Sequence, residues 1–353
     1  MKPLYLALML LFSATVSATP YLWQTNTAGN DIHIYNLDNL ELVRRLEVGA
    51  NPHGFAVPED NRSVYVSLEK YGSNHGEILQ INPFSLKIEQ RIEVCREPQN
   101  ITTTPNGKFL YVPCFNGQYW VIDTASGKVV KKIETGGRPH NTEVSRDGRY
   151  VYLSPLRKVN GVTVVDVLAE NQVDGFIPFG GQVRPLSLSR DGQLLFQHVD
   201  GVDGFKVADT NQKAVVKVVE HHSSLGRYRY AQHLVNRISR KLGYKKIFEI
   251  AHCHGLKVRP DQQEIWSTCG SNLNIHDLDR EDYPQTGHIN LGGTGYWLSF
   301  SLDSRLSAVA LPDRNQVAII NTSDMKIVKY LNVGKRPKRN MVINHDIELQ
   351  AAK

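Results

Sequence analysis

GGRPHNTEVSRDGRYVYLS, residues 136–154, is the stretch from which the fold is read. Asp147-Gly148 is a tight-turn dipeptide between two short runs with strand character, so the segment reads as a β-hairpin. The same 15-residue pattern recurs without gaps as HGFAVPEDNRSVYVS from His53 and QNITTTPNGKFLYVP from Gln99. It recurs again as RPLSLSRDGQLLFQH from Arg184, HGLKVRPDQQEIWST from His254 and YWLSFSLDSRLSAVA from Tyr296. A seventh, weaker copy, RPKRNMVI, carries its anchor at Lys338. The spacing is about 42 residues, except for one step of about 70 between Arg184 and His254.

Each hairpin is followed by two more strand-like runs. In the second unit these are Trp120–Asp123 and Lys128–Ile133, joined at Thr124–Gly127. Four strands per unit is a propeller blade. Seven anchors give seven blades. Tyr21-Leu22-Trp23 opens what reads as the second to fourth strands of a blade, and Arg339–Ile343 is a lone first strand. The two ends therefore complete one blade together, which removes two open sheet edges. The predicted fold is an all-β, single seven-bladed β-propeller over residues 19–353. A tandem of β-sandwiches would leave the period unexplained.

The stretch at 136–154, with its Pro-His start and Ser-x-Asp-Gly-Arg turn, resembles the YVTN-type repeats of bacterial seven-bladed β-propellers. The resemblance covers the chain beyond its first residues. CHGLKVRPDQQEIWST, NLNIHDLD and GYWLSFSLDSR are similar to secreted propellers of that type without an assigned activity. The resemblance implies the fold and export, and little chemistry. Function has to be argued from a site.

The chain has 353 residues, 41 Lys+Arg, 35 Asp+Glu and 41% hydrophobic residues, which excludes a disordered chain. Its formal charge of +6 does not call for nucleic acid or a membrane as partner. Met1 and Lys2 precede an apolar run, Leu4–Phe12, and Val16 and Ala18 stand at −3 and −1 of a cleavage site. Residues 1–18 thus read as a secretory signal peptide, and the product as a periplasmic or secreted protein without a transmembrane segment. A monomer is expected.

In a propeller the first strand of each blade is innermost, so the anchors form a ring at one channel mouth. That ring is His53, Gln99, His140, Arg184, His254, Tyr296 and Lys338. Converging polar groups in a concavity make a ligand site. A Pro-His strand start would equally place the histidines against a neighbouring blade. His252-Cys253-His254 puts two imidazoles on one side of a strand, so His53, His140, His252 and His254 are candidate ligands for a divalent metal, Zn or Cu.

The long step holds an insertion, residues 221–246. It carries seven basic residues, among them Arg237, Arg240 and Lys241, and no acidic one. Tyr230, Leu234, Ile238 and Leu242 make one helical face across residues 226–243. A basic helix beside the mouth suits a small anionic ligand, though it also suits a solvated decoration. Four cysteines in an exported chain suggest disulfides, with Cys253–Cys269 and Cys95–Cys114 favoured by the hairpin register. Thiolate metal ligation is the alternative.

There is no Walker loop, dinucleotide fingerprint, G-x-S-x-G elbow or C-x-x-C-H haem attachment. The favoured function is an exported binding protein that takes a small anionic ligand, or another exported protein, through the His-lined mouth. The alternative is a metal-dependent enzyme, a lactonase-like hydrolase or lyase or an oxidoreductase, working through the histidines.

Overall fold

The computed structural model describes residues 18–221 and 253–347, together with Val235 and Ile238. Among the described residues, seven antiparallel four-stranded sheets form seven blades. Blade one runs through Pro52–Ala56, Val64–Leu68, Gly76–Ile81 and Ile88–Val94, from the innermost strand outward. Blades two to six repeat this order, with innermost strands Thr102–Thr103, Arg138–Val144, Val183–Leu188, Cys253–Val258 and Leu298–Phe300. Each innermost strand packs against that of the next blade, and the circuit returns to blade one.

The ring closes as the sequence implies. The last strand, Pro337–Asn344, pairs antiparallel with the first, Pro20–Asn26, with Tyr21 opposite Ile343 and Trp23 opposite Met341. Together with Asp31–Asn36 and Glu41–Glu47 they make blade seven. The inner strands are buried on both faces because each sheet is covered by two neighbours, whereas the outermost strand Glu41–Glu47 is largely exposed. The core therefore lies between blades. Ala56, Tyr65 and Ile78 of blade one pack with Leu110, Val112 and Ile122 of blade two. Trp266 of blade five meets Phe300 of blade six edge-on, with ring centroids 5.2 Å apart.

The recurring Ser-x-Asp-Gly turn has a direct physical role. Ser145 Oγ donates to Asp147 Oδ1 and accepts from the Tyr150 amide at 2.9 Å, and Gly148 takes the left-handed φ of 71° that the turn requires. Ser189 and Asp191, and Ser301 and Asp303, repeat the contact.

A second device fixes the anchors. The pairing of the innermost strand with its neighbour slips between Pro52 and Phe55, and likewise between Cys253 and Gly255. A hydroxyl fills the gap. Ser67 Oγ accepts from Gly54 N at 2.8 Å and donates to the carbonyl of Gln99, the anchor of the next blade, at 2.7 Å. Thr25 does the same between Arg339 N and His53 O, at 3.1 and 2.9 Å, and Thr268 between Gly255 N and Tyr296 O. The anchor backbones of His53, Gln99 and Tyr296 are thus held by the preceding blade, and the bulge turns the chain beside the channel.

Both expected disulfides are present, Cys95–Cys114 and Cys253–Cys269. No helix among the described residues is long and apolar enough to cross a membrane. Within the insertion, Val235 and Ile238 are helical and exposed. The rest of it, with Arg237, Arg240 and Lys241, lies outside the described residues, as do His252 and residues 1–17 of the expected signal peptide.

The hydroxyl latch yields a direct test. Ser67→Ala leaves a buried amide and a buried carbonyl unpaired, with an expected loss on the order of 3 kcal/mol in urea denaturation. Ser67→Thr keeps the hydroxyl and is expected to recover most of that loss.

Candidate binding site in the central channel

The latches bring anchors from non-adjacent blades together. His53 and His140, two blades apart, face each other edge-on with ring centroids 6.4 Å apart. His254 stacks on Tyr296 at 4.6 Å. Arg184 makes a bidentate pair with Asp200, at 2.8 and 3.1 Å. His53, Gln99 and Lys338 converge on a carboxylate that sequence reasoning missed, Glu69.

Glu69 is 2% exposed. It lies 2.9 Å from His53 Nδ1, accepts from Gln99 Nε2 and Tyr71 Oη, and accepts from Lys338 Nζ at 3.2 Å. Burial pulls its pKa upward, but His53, Lys338 and the hydrogen bonds outweigh this and hold it below the usual carboxylate range. Burial first, then Lys338 and Arg339, bring His53 down to about 4 against the pull of Glu69. A neutral His53 that accepts at Nε2 carries its proton on Nδ1, the nitrogen nearest Glu69. The Nε2 lone pair receives the Arg339 Nε donor at 3.4 Å.

Arg339 follows the anchor Lys338 on the strand that closes the ring. Its side chain is 2% exposed and crosses the channel. Nη2 donates to Asn141 Oδ1 of blade three at 3.0 Å, and the guanidinium lies 3.6 Å above the Trp297 ring. These partners are neutral. Arg339 Nη1, Asn141 Nδ2 and His140 Nδ1 have no hydrogen-bond partner among the described residues. Burial lowers the guanidinium pKa to about 10, so it stays charged at neutral pH. A buried cation with an unused donor is costly unless an anion joins it.

The space for such an anion lies beside Arg339. A cavity of about 300 Å³ is lined by Arg339, Trp297, apolar side chains that include Phe55, Phe300 and Met341, and the Lys257–Glu143 pair, 2.9 Å apart. These residues follow the anchors along the inner strands, so the cavity occupies the channel on the far side of Arg339 from the anchor ring. The insertion joins the ring at the anchor end, between Glu220 and Cys253. A larger cleft of about 720 Å³ lies between the hairpins of blades three and four. Within it Lys213 pairs with Asp174 at 2.7 Å and Asp191 accepts from Ser189 at 2.6 Å, and Arg146 and Arg190 also line it.

Among the described residues, the candidate ligands His53, His140 and His254 form no group of three donors within 4.8 Å, and His252 lies outside the described residues. Among the described residues, the group of three such donors within 4.8 Å of one another is His198, Cys253 and Cys269. It belongs to a second polar nest, between blades four and five, with Ser267, His221 and His276. The sequence held one signal for the channel carboxylates. Glu69 and Asp200 occupy the same repeat position, on the segment that follows the second strand, and each faces its own blade's anchor. Nothing in the repeat marked Arg339, because its equivalents are Gly54, Asn100, Asn141, Pro185, Gly255 and Trp297.

The buried histidines set an acid limit. Burial, then His254 and Arg184, lower His198 to about 3, well under the unfolded value of about 6.5. The stability linked to such a group is complete above about 6.5 and is lost as pH falls toward the folded value. The urea midpoint is expected to drop between neutral pH and about 4, and less steeply in His198→Gln. A flat profile for the unmodified protein contradicts this.

No protein-family model matches the chain, and a search of the curated proteins found no match. Solved structures do resemble it. The periplasmic gluconolactonase of Pseudomonas aeruginosa is 17% identical, with a TM-score of 0.72 over 92% of this chain and 99% of that one. A functionally unknown protein from Desulfotomaculum acetoxidans is 11% identical, with a TM-score of 0.73 over the same shares. Hydrazine synthase of Kuenenia stuttgartiensis is 16% identical, with a TM-score of 0.67 over 90% and 99%. At these identities the likeness is one of fold: this chain is a seven-bladed β-propeller.

Proposed function

We propose that this protein is an exported propeller that binds a small organic anion in its central channel. The carrying observation is Arg339, a buried guanidinium with neutral partners and an unpaired Nη1 donor beside an apolar cavity. A carboxylate on an apolar body matches that combination. Its oxygens would take the Arg339 Nη1 donor, and its body would lie against Trp297, Phe55 and Phe300. His53 accepts from the guanidinium on the anchor side, with the Glu69 carboxylate behind it.

Binding is favoured over catalysis by the same geometry. His53 and Glu69 lie side by side as in an acid–base pair, but the free nitrogen of His53 faces a donor and cannot take a proton from a substrate while that contact holds. A metal on His53 would sit beside Lys338 and Arg339, two cations that oppose it. Export rests on the signal-like residues 1–18 and on the two disulfides. The basic residues of the insertion, Arg237, Arg240 and Lys241, lie outside the described residues and carry no part of this reading.

Titration calorimetry with benzoate and hexanoate tests the reading. Saturable binding is expected, with Arg339→Met weakening it about 10-fold or more, as for loss of a charged hydrogen bond. Arg305→Gln, on an exposed turn, is expected to leave it unchanged. Equal binding by Arg339→Met, or no binding of any carboxylate, contradicts it.

A further inference from the structure

The nest between blades four and five has the donors and geometry of a metal site held closed by a disulfide. His198 Nε2 and His221 Nε2 both hydrogen-bond Ser267 Oγ, at 2.8 and 3.0 Å. His221 Nε2 is also 3.4 Å from Cys269 Sγ. A ring nitrogen of His198, Cys253 Sγ and Cys269 Sγ lie within 4.8 Å of one another, and His221, next to Cys269 but outside that group, would have to close on it to complete a tetrahedron. His198, His221, Ser267 and Cys269 are all at most 5% exposed. A tetrahedral zinc centre places its sulfur and nitrogen donors roughly 3–4 Å apart.

The hydrogen bonds also select the tautomer. The Tyr283 carbonyl can only accept, so His276 Nδ1 donates to it at 2.8 Å. His276 Nε2 is then an acceptor, and it takes the proton of His221 Nδ1 at 2.9 Å. His221 Nε2 then accepts the Ser267 proton, so His198 Nε2 donates to Ser267 Oγ and must pass its proton to Nδ1 before it can ligate. A carbonyl–imidazole chain that fixes and orients a ligating histidine is the usual outer support of a zinc site.

We propose that reduction of Cys253–Cys269 converts this nest into a zinc(II) site with His198 Nε2, His221 Nε2 and the two thiolates as ligands. A dithiol supplies two electrons and two protons to the disulfide and leaves as its own disulfide. The two cysteine thiols release those two protons as zinc binds. Two thiolates, two neutral imidazoles and zinc(II) sum to zero charge, which suits a buried position. Oxidised, blade five is stapled covalently. Reduced, it would be stapled by the metal, with blade four joined through His198.

The test uses the full-length protein, reduced with a phosphine, desalted without oxygen and titrated with zinc(II), or with cobalt(II) as a spectroscopic stand-in. About one equivalent of zinc is expected, with a thiolate-to-cobalt charge-transfer band and intense visible bands of a tetrahedral centre. Cys95→Ser/Cys114→Ser is expected to behave alike, and the oxidised protein to show no such band. His198→Gln and His221→Gln are each expected to weaken binding about 10-fold or more. His276→Asn keeps all four ligands and is expected to weaken it less, which serves if the ligand variants fail to fold. A reduced protein that takes up no metal, shows no thiolate band, or loses its β-sheet circular dichroism overturns the proposal. So does unchanged affinity in all three histidine variants.

Discussion

The pairing of Pro337–Asn344 with Pro20–Asn26 is the contact on which the other six blades depend. Each sheet is apolar on both faces and needs a neighbour on each side. An open array would expose the packed face of its first and last blades, together with two unpaired strand edges. Closure replaces those edges with the Tyr21–Ile343 and Trp23–Met341 pairs and buries Trp23 completely. Hydroxyl latches then tie His53, Gln99, Arg184 and Tyr296 to the blades that precede them.

The closing strand also carries the chemistry. It delivers Lys338 to Glu69 and Arg339 into the middle of the channel. Channel positions elsewhere in this layer are small or neutral, such as Gly54, Pro185 and Gly255, which leaves room for one long side chain to cross from blade seven to blade three. The result is a partition. Above it a packed set of charges satisfies itself around Glu69, and below it an apolar cavity ends on a guanidinium with a donor to spare. Stability alone gives no reason to bury that cation, because hydrophobic groups of similar volume often hold such a position as well or better.

Much of this was legible in the sequence because the repeat reports geometry. The period gave blade number, closure and which residues share the anchor ring, and the hairpin register gave both disulfides. His53, Gln99 and Lys338 do meet, on Glu69. Reading each blade position by position falls short where function depends on contacts between non-equivalent positions. Glu69 lies beyond the second strand, Arg339 one residue past its anchor, and His198, His221, Ser267 and His276 come from four places in two blades. No period aligns them. The insertion was recognised by its length and charge, and of its apolar face Val235 and Ile238 are exposed.

The most direct measurement is the unfolding free energy of Arg339→Met in urea, without any added anion. If Arg339 is kept for binding, the variant is expected to lie within about 1 kcal/mol of the unmodified protein, since methionine fills similar space without a buried charge. A loss of about 3–5 kcal/mol, the usual result of breaking a buried ionic network, would show that Arg339 is structural. That outcome would contradict the channel as an anion-binding site.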